Sequence, residues 1–132
     1  MSHASETSSE SALMNHEYDS AFVITWRSPF PGREAAALTC AAEPDTRWSK
    51  LTTDGLCSTP EWLFHPSGWG MWMVRGLHAE LDHLVQEDES RMLIARGTLL
   101  LDGFQYAIAP AGRGADRYVN NDAAVASEAG VI

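Results

Sequence analysis

The stretch HPSGWGMWMVRG, residues 65–76, puts two tryptophans, two methionines and an arginine behind a Pro-Ser-Gly turn signal. In a β-strand, successive side chains point to opposite faces. Read as a strand, Trp69, Met71, Met73 and Arg75 share one face, and Gly70, Trp72 and Val74 share the other. Both faces are apolar up to the arginine. The stretch therefore reads as a hairpin turn running into a strand covered on both sides, rather than as a cofactor box.

The flanking sequence supplies the rest of the fold. LCSTPEWLFH, 56–65, reads as the other arm of the hairpin. Pro60 has no N–H to give to a ladder, which places that arm at a sheet edge. AFVITWR, 21–27, is β-branched and aromatic, and SPFPG ends it. It is two-sided as well, with Phe22, Ile24 and Trp26 opposing Ala21, Val23 and Thr25. REAAALTCAAE, 33–43, has helix-forming composition, and Pro44 interrupts it, since an interior proline costs about 3 kcal/mol. PDTRWSKLTTD, 44–54, then reads as a second helical segment capped by Gly55, with Trp48 and Leu51 on its buried side. Leu77, Leu81, Leu84, Val85, Met92 and Ala95 keep a helical period from 77 to 96, with Asp88 as a polar intruder and Gly97 as the stop. TLLLDGFQYAIA, 98–109, is the last expected strand, ended by Pro110.

This β-α-β-β-α-β order predicts an α+β, ferredoxin-like fold. Its four-stranded antiparallel sheet would carry helices on one face and have the first and third strands at its centre. The domain spans 19–112, between tails at 1–18 and 113–132 that lack clear hydrophobic patterning and read as flexible. A sheet with one wet face should alternate apolar and polar residues, and these strands do not. Exposing the Trp, Met and Phe side chains would forgo about 1.5–3 kcal/mol each. The expected remedy is a homodimer whose sheets pack face to face.

Two such subunits resemble the dimeric α/β-barrel superfamily. The segment MVRGLHAELDHLVQEDESRMLIARGTLLLDGFQYAI, 73–108, is similar to the second half of its small bacterial members of unassigned function. Relatives in that superfamily include muconolactone isomerases, cofactor-free monooxygenases, haem-binding chlorite dismutases and amino-acid-sensing domains. The resemblance implies a fold and a dimer, and leaves the activity open.

Charge narrows the partners. With 9 basic against 18 acidic residues the net charge is −9, which disfavours nucleic acid unless Arg27, Arg33, Arg47 and Arg75 cluster. No apolar run approaches the length of a membrane helix, and the amino terminus lacks a signal-peptide pattern. The expectation is a cytoplasmic protein with no membrane partner. Cys40 and Cys57 have no metal-ligand spacing and read as buried apolar residues.

The candidate site residues are Trp26, His65, Trp72, Arg75, Asp102 and Tyr106. His65 is either a general base or a turn histidine facing water. Asp102 is either a buried carboxylate partnered by Arg75 or Arg27, or is tipped outward by a turn at Gly103. Trp26, Trp72 and Tyr106 either line an aromatic cavity between sheet and helices or fill that space as core. His78 and Asp82 have i, i+4 spacing but no third metal ligand, and no haem or phosphate-loop motif accompanies His65, His78, His83 or Gly32. No metal and no cofactor are expected. The sequence favours a small-molecule binding or sensing dimer, with an apolar cavity rimmed by Arg75, His65 or Tyr106. A cofactor-independent isomerase or monooxygenase, acting on a small aromatic or oxidised metabolite, is the alternative. A structural interaction module is the third reading.

Overall fold

The computed structural model describes residues 17–130. Most of the segment expected to be an N-terminal tail, residues 1–16, lies outside these. Four strands form one antiparallel sheet: β1 (Ser20–Trp26), β3 (Glu61–Phe64), β4 (Gly70–Gly76) and β6 (Gln105–Pro110), in the order β3-β4-β1-β6. Two short strands, β2 (Ser28–Pro29) and β5 (Leu101–Asp102), pair separately. The helices are α1 (Glu34–Thr53), α2 (His78–Gln86), α3 (Asp88–Leu100) and α4 (Arg113–Glu128). The hairpin strand β4 is central and β3, which follows Pro60, is an edge. None of the described helices is long and apolar enough to cross a membrane.

Register decides which face is covered. Phe22 stands opposite Val74 and Ile108, Ile24 opposite Trp72 and Tyr106, and Trp62 opposite Trp72. Phe22, Trp72 and Val74 form the core with Trp48 of α1, Leu81 and Leu84 of α2, and Cys57. Helices α1 and α2, with Ile94 of α3, therefore pack on the face of Phe22, Trp72 and Val74. On β4, buried residues alternate with half-buried ones: Met71, Met73 and Arg75 lie on the side away from this core. Val23 and Thr25 share that second face and are also half-buried.

Four sequence expectations about the elements are corrected. Pro44 does not end the first helix; α1 runs through it from Glu34 to Thr53. Its second half is anchored by the buried Arg47 and Trp48, and that anchorage outweighs one lost backbone bond. The expected single helix at 77–96 is two, because Glu87 is extended (φ −63°, ψ 146°). The break frees the Leu84 carbonyl, which accepts Ser90 Oγ at 2.7 Å and Arg47 Nη2 at 3.3 Å. Gly97 does not stop α3, which continues through Leu100 and so takes residues assigned to the last strand. The arm read as a strand from 56 forms one only at Glu61–Phe64, since Cys57 drops into the core. Within the C-terminal segment read as a flexible tail, Arg113–Glu128 form α4. This helix is built from residues such as Ala115, Ala123, Ala124 and Ala126, and none of its residues is buried. At the other end Tyr18, placed with the tail, is buried.

Candidate aromatic cavity

An apolar cavity opens between the helix-covered face of the sheet and helices α1 and α3, with a volume of about 320 Å³. Four tryptophans (Trp26, Trp48, Trp62, Trp72) and three phenylalanines (Phe22, Phe64, Phe104) line it. Their placement follows from strand parity, because the sheet residues among them all share one face. Alpha-helical spacing supplies the opposite wall. Ala37, Ala41, Pro44 and Trp48 all line the cavity, and residues at offsets of three and four share a helix side. The small side chains of Ala37, Ala41 and Pro44 leave the space that the sheet aromatics face.

The rings are held by contacts among themselves and by glycines. Trp48 lies 5.2 Å from Phe22 and 5.7 Å from Trp72, centroid to centroid. Trp62 and Phe64 stack 5.6 Å apart and nearly parallel, and Trp26 stands across both at 68° and 62°. A Cβ on Gly70 would come within 2.3 Å of the Trp26 ring, and one on Gly97 within 2.4 Å of Phe104. These two positions therefore admit only glycine while the rings stay where they are. Gly97 sits inside α3, where glycine costs about 1 kcal/mol relative to alanine. Its place there is explained by the Phe104 ring.

Few polar groups face this space. Trp62 Nε1 donates to Asp45 Oδ1 at 3.2 Å. Trp72 Nε1 is buried and has no hydrogen-bond partner among the described residues; the ring stands edge-to-face with Phe22. Pro44 has no N–H to return to the Cys40 carbonyl, and both residues line the cavity. The charged lining residues are Glu34 and Arg96, and Arg96 pairs with Glu43. Leu38 and Phe64 are exposed and mark the way in.

Only two of the expected site residues, Trp26 and Trp72, line this cavity. Tyr106 is half-exposed and lines a second groove of mixed polarity, with His78, Asp82, Gln86 and Arg91 facing Val85 and Ile94, beside the edge strand β6. The ring also reaches toward the core, 6.3 Å from Phe22. His65 is exposed in the hairpin turn, where its ring stacks on Trp69 at 5.0 Å and its Nδ1 accepts the Ser67 backbone N–H. Arg75 lies on the opposite sheet face, and its backbone N–H donates to Ser58 Oγ. Asp102 sits beside a turn at Gly103 (φ 70°) and pairs with Arg27 at 3.6 Å, so elements of both of its sequence readings occur together. Both partners of that pair are well exposed to solvent. Cys57 is buried as expected, whereas Cys40 is only half-buried and borders the cavity. Among the described residues no group of three or more His, Cys, Asp or Glu is placed to hold a metal.

Sequence reasoning missed the α1 wall, Phe104 and Phe64. The signal was present in the small residues at 37, 41 and 44, leading to Trp48 at helical spacing. Reading Pro44 as a helix end concealed it. Comparison with protein families, curated proteins and solved structures finds no match to this chain.

Proposed function

We propose that the protein binds a small apolar molecule in the aromatic cavity, and does so as a homodimer joined through the open sheet face. The observation that carries the binding reading is the cavity itself, about 320 Å³ and walled by seven aromatic rings. That volume lies at the lower end of the roughly 300–1,000 Å³ typical of small-molecule sites. The strand order β3-β4-β1-β6 supports a ferredoxin-like arrangement and, with it, the resemblance to the dimeric α/β-barrel superfamily. The half-buried Val23, Met71 and Met73 on the second sheet face support the dimer. His65 and Asp102 have separate partners, Trp69 and Arg27, rather than each other, and this favours binding over acid–base catalysis.

Four of the five tryptophans line the cavity and Trp69 does not, so the protein carries its own reporter. Titration with the neutral dye N-phenyl-1-naphthylamine should give saturable dye emission with energy transfer from tryptophan. Ala37→Phe, which fills the α1 wall, should abolish the signal without lowering the melting temperature by more than a few degrees. A linear, unsaturable response in the wild type would exclude the cavity as a ligand site.

A further inference from the structure

We propose that the cavity prefers an apolar cation, an aromatic or branched hydrocarbon body carrying an ammonium group, over neutral or anionic molecules of the same shape. The inference rests on the binding reading above and adds the ligand's charge.

Aromatic faces attract cations through the ring quadrupole, most strongly for tryptophan. Three such rings, Trp26, Trp62 and Phe64, meet on one side of the cavity, two parallel and the third across them. Phe64 is 71% exposed, so this cluster reaches the entrance, where an ammonium group can keep part of its hydration. The Asp45 carboxylate on the Trp62 indole N–H makes the face of that ring more negative.

The fixed charges act in the same direction. Arg96 is the lining residue that would attract an anion, and Glu43 neutralises it. Glu34 is the other charged lining residue, exposed in the first turn of α1. No cation among the described residues pairs with it. Nearby guanidinium groups are engaged elsewhere: Arg27 with Asp102, and Arg33 with the Leu99 carbonyl while lying over the Phe30 ring. Glu34 is therefore the lining charge left without an opposite partner among the described residues, within a chain of net charge −9. No lining base is left to hold an anion, since Arg33 keeps its charge against a neutral carbonyl but does not line the cavity.

The test uses three probes of one shape: 2-naphthyltrimethylammonium, its uncharged isostere 2-tert-butylnaphthalene, and naphthalene-2-sulfonate. Each competes with N-phenyl-1-naphthylamine bound to the full chain. The ammonium should displace the dye at roughly ten-fold lower concentration than the neutral isostere, with the sulfonate weakest. Glu34→Gln and Phe64→Ala, both at exposed positions, should each shrink the ammonium's advantage over the neutral isostere about three-fold, the ratio being read against each variant's own affinity for the neutral probe. A sulfonate as effective as the ammonium would overturn the charge preference while leaving the cavity reading intact, as would an advantage indifferent to both substitutions. Failure of the dye and all three probes to bind would remove both.

Discussion

Burial pushes the Cys57 thiol above its ordinary value of 9.0, with a hydrogen bond from Thr52 opposing the shift. Burial also raises the Tyr18 phenol, and the nearby Cys57 adds to that rise. A raised pKa means the folded state holds the proton more tightly than the unfolded chain does. The stability this confers is complete below the unfolded value and is lost as the pH climbs through the folded one. Urea midpoints measured from pH 7 to 10.5 should therefore fall on the alkaline side of about 9. Cys57→Ala should flatten that decline, though its midpoint at pH 7 will be lower because it leaves a small void. An identical alkaline slope in the variant would show that Cys57 contributes nothing to it. At this scale the sequence was informative where chemistry dictates burial, as for Cys57 and Trp72. It was uninformative where contacts decide, as for His65, whose partner Trp69 shares its hairpin, and for Tyr106, which turned to a groove rather than the cavity.

Among the elements, the junction of α2 and α3 shows how a helix break is stabilised at a distance. Arg47 reaches from α1 to Ser90 Oγ at 3.0 Å, to the Leu84 carbonyl and to Glu89 at 2.9 Å. Its side chain is buried while Glu87 and Glu89 are largely exposed. The buried contacts to Ser90 and Leu84 therefore outweigh the solvent-screened ion pairs. Arg47→Met keeps the aliphatic stem and removes the donors, and should cost about 2 kcal/mol of unfolding free energy. Raising the salt concentration should change wild-type stability by far less than that substitution does. Strand assignments were legible because alternation at β1 and β4 is strong and long. Helix ends were not. Proline at 44, glycine at 97 and the acidic run at 87–89 are each local signals that tertiary contacts overrode or redirected, through Trp48, Phe104 and Arg47 respectively.

For the molecule as a whole, one sheet face is packed and the other carries Val23, Thr25, Met71 and Met73, with Glu61 and Arg75 on that same face. These two charges cancel. The second face is thus a neutral surface on a chain of net charge −9, where the two copies of the proposed dimer would meet without local repulsion. Sedimentation at micromolar concentration should give twice the chain mass, and association should tighten with added salt as the remaining repulsion is screened. Replacing Met71 and Met73 together by lysine should give folded monomer with an unchanged circular dichroism spectrum. A wild-type monomer at every salt concentration would remove the sheet-face dimer. The proline inside α1 has one more consequence, in time rather than in space. All of the buried residues of α1 lie after Pro44, and none of Glu34–Glu43 is buried. The N-terminal half of α1 also loses the backbone bond that would have tied Cys40 to the turn after it. Opening of that half should therefore be the cheaper fluctuation, with amide hydrogens of residues 38–43 exchanging faster than those of 47–53. Because this half forms the outer wall of the cavity, the same opening would widen the mouth beside Leu38 and Phe64 for the proposed ligand.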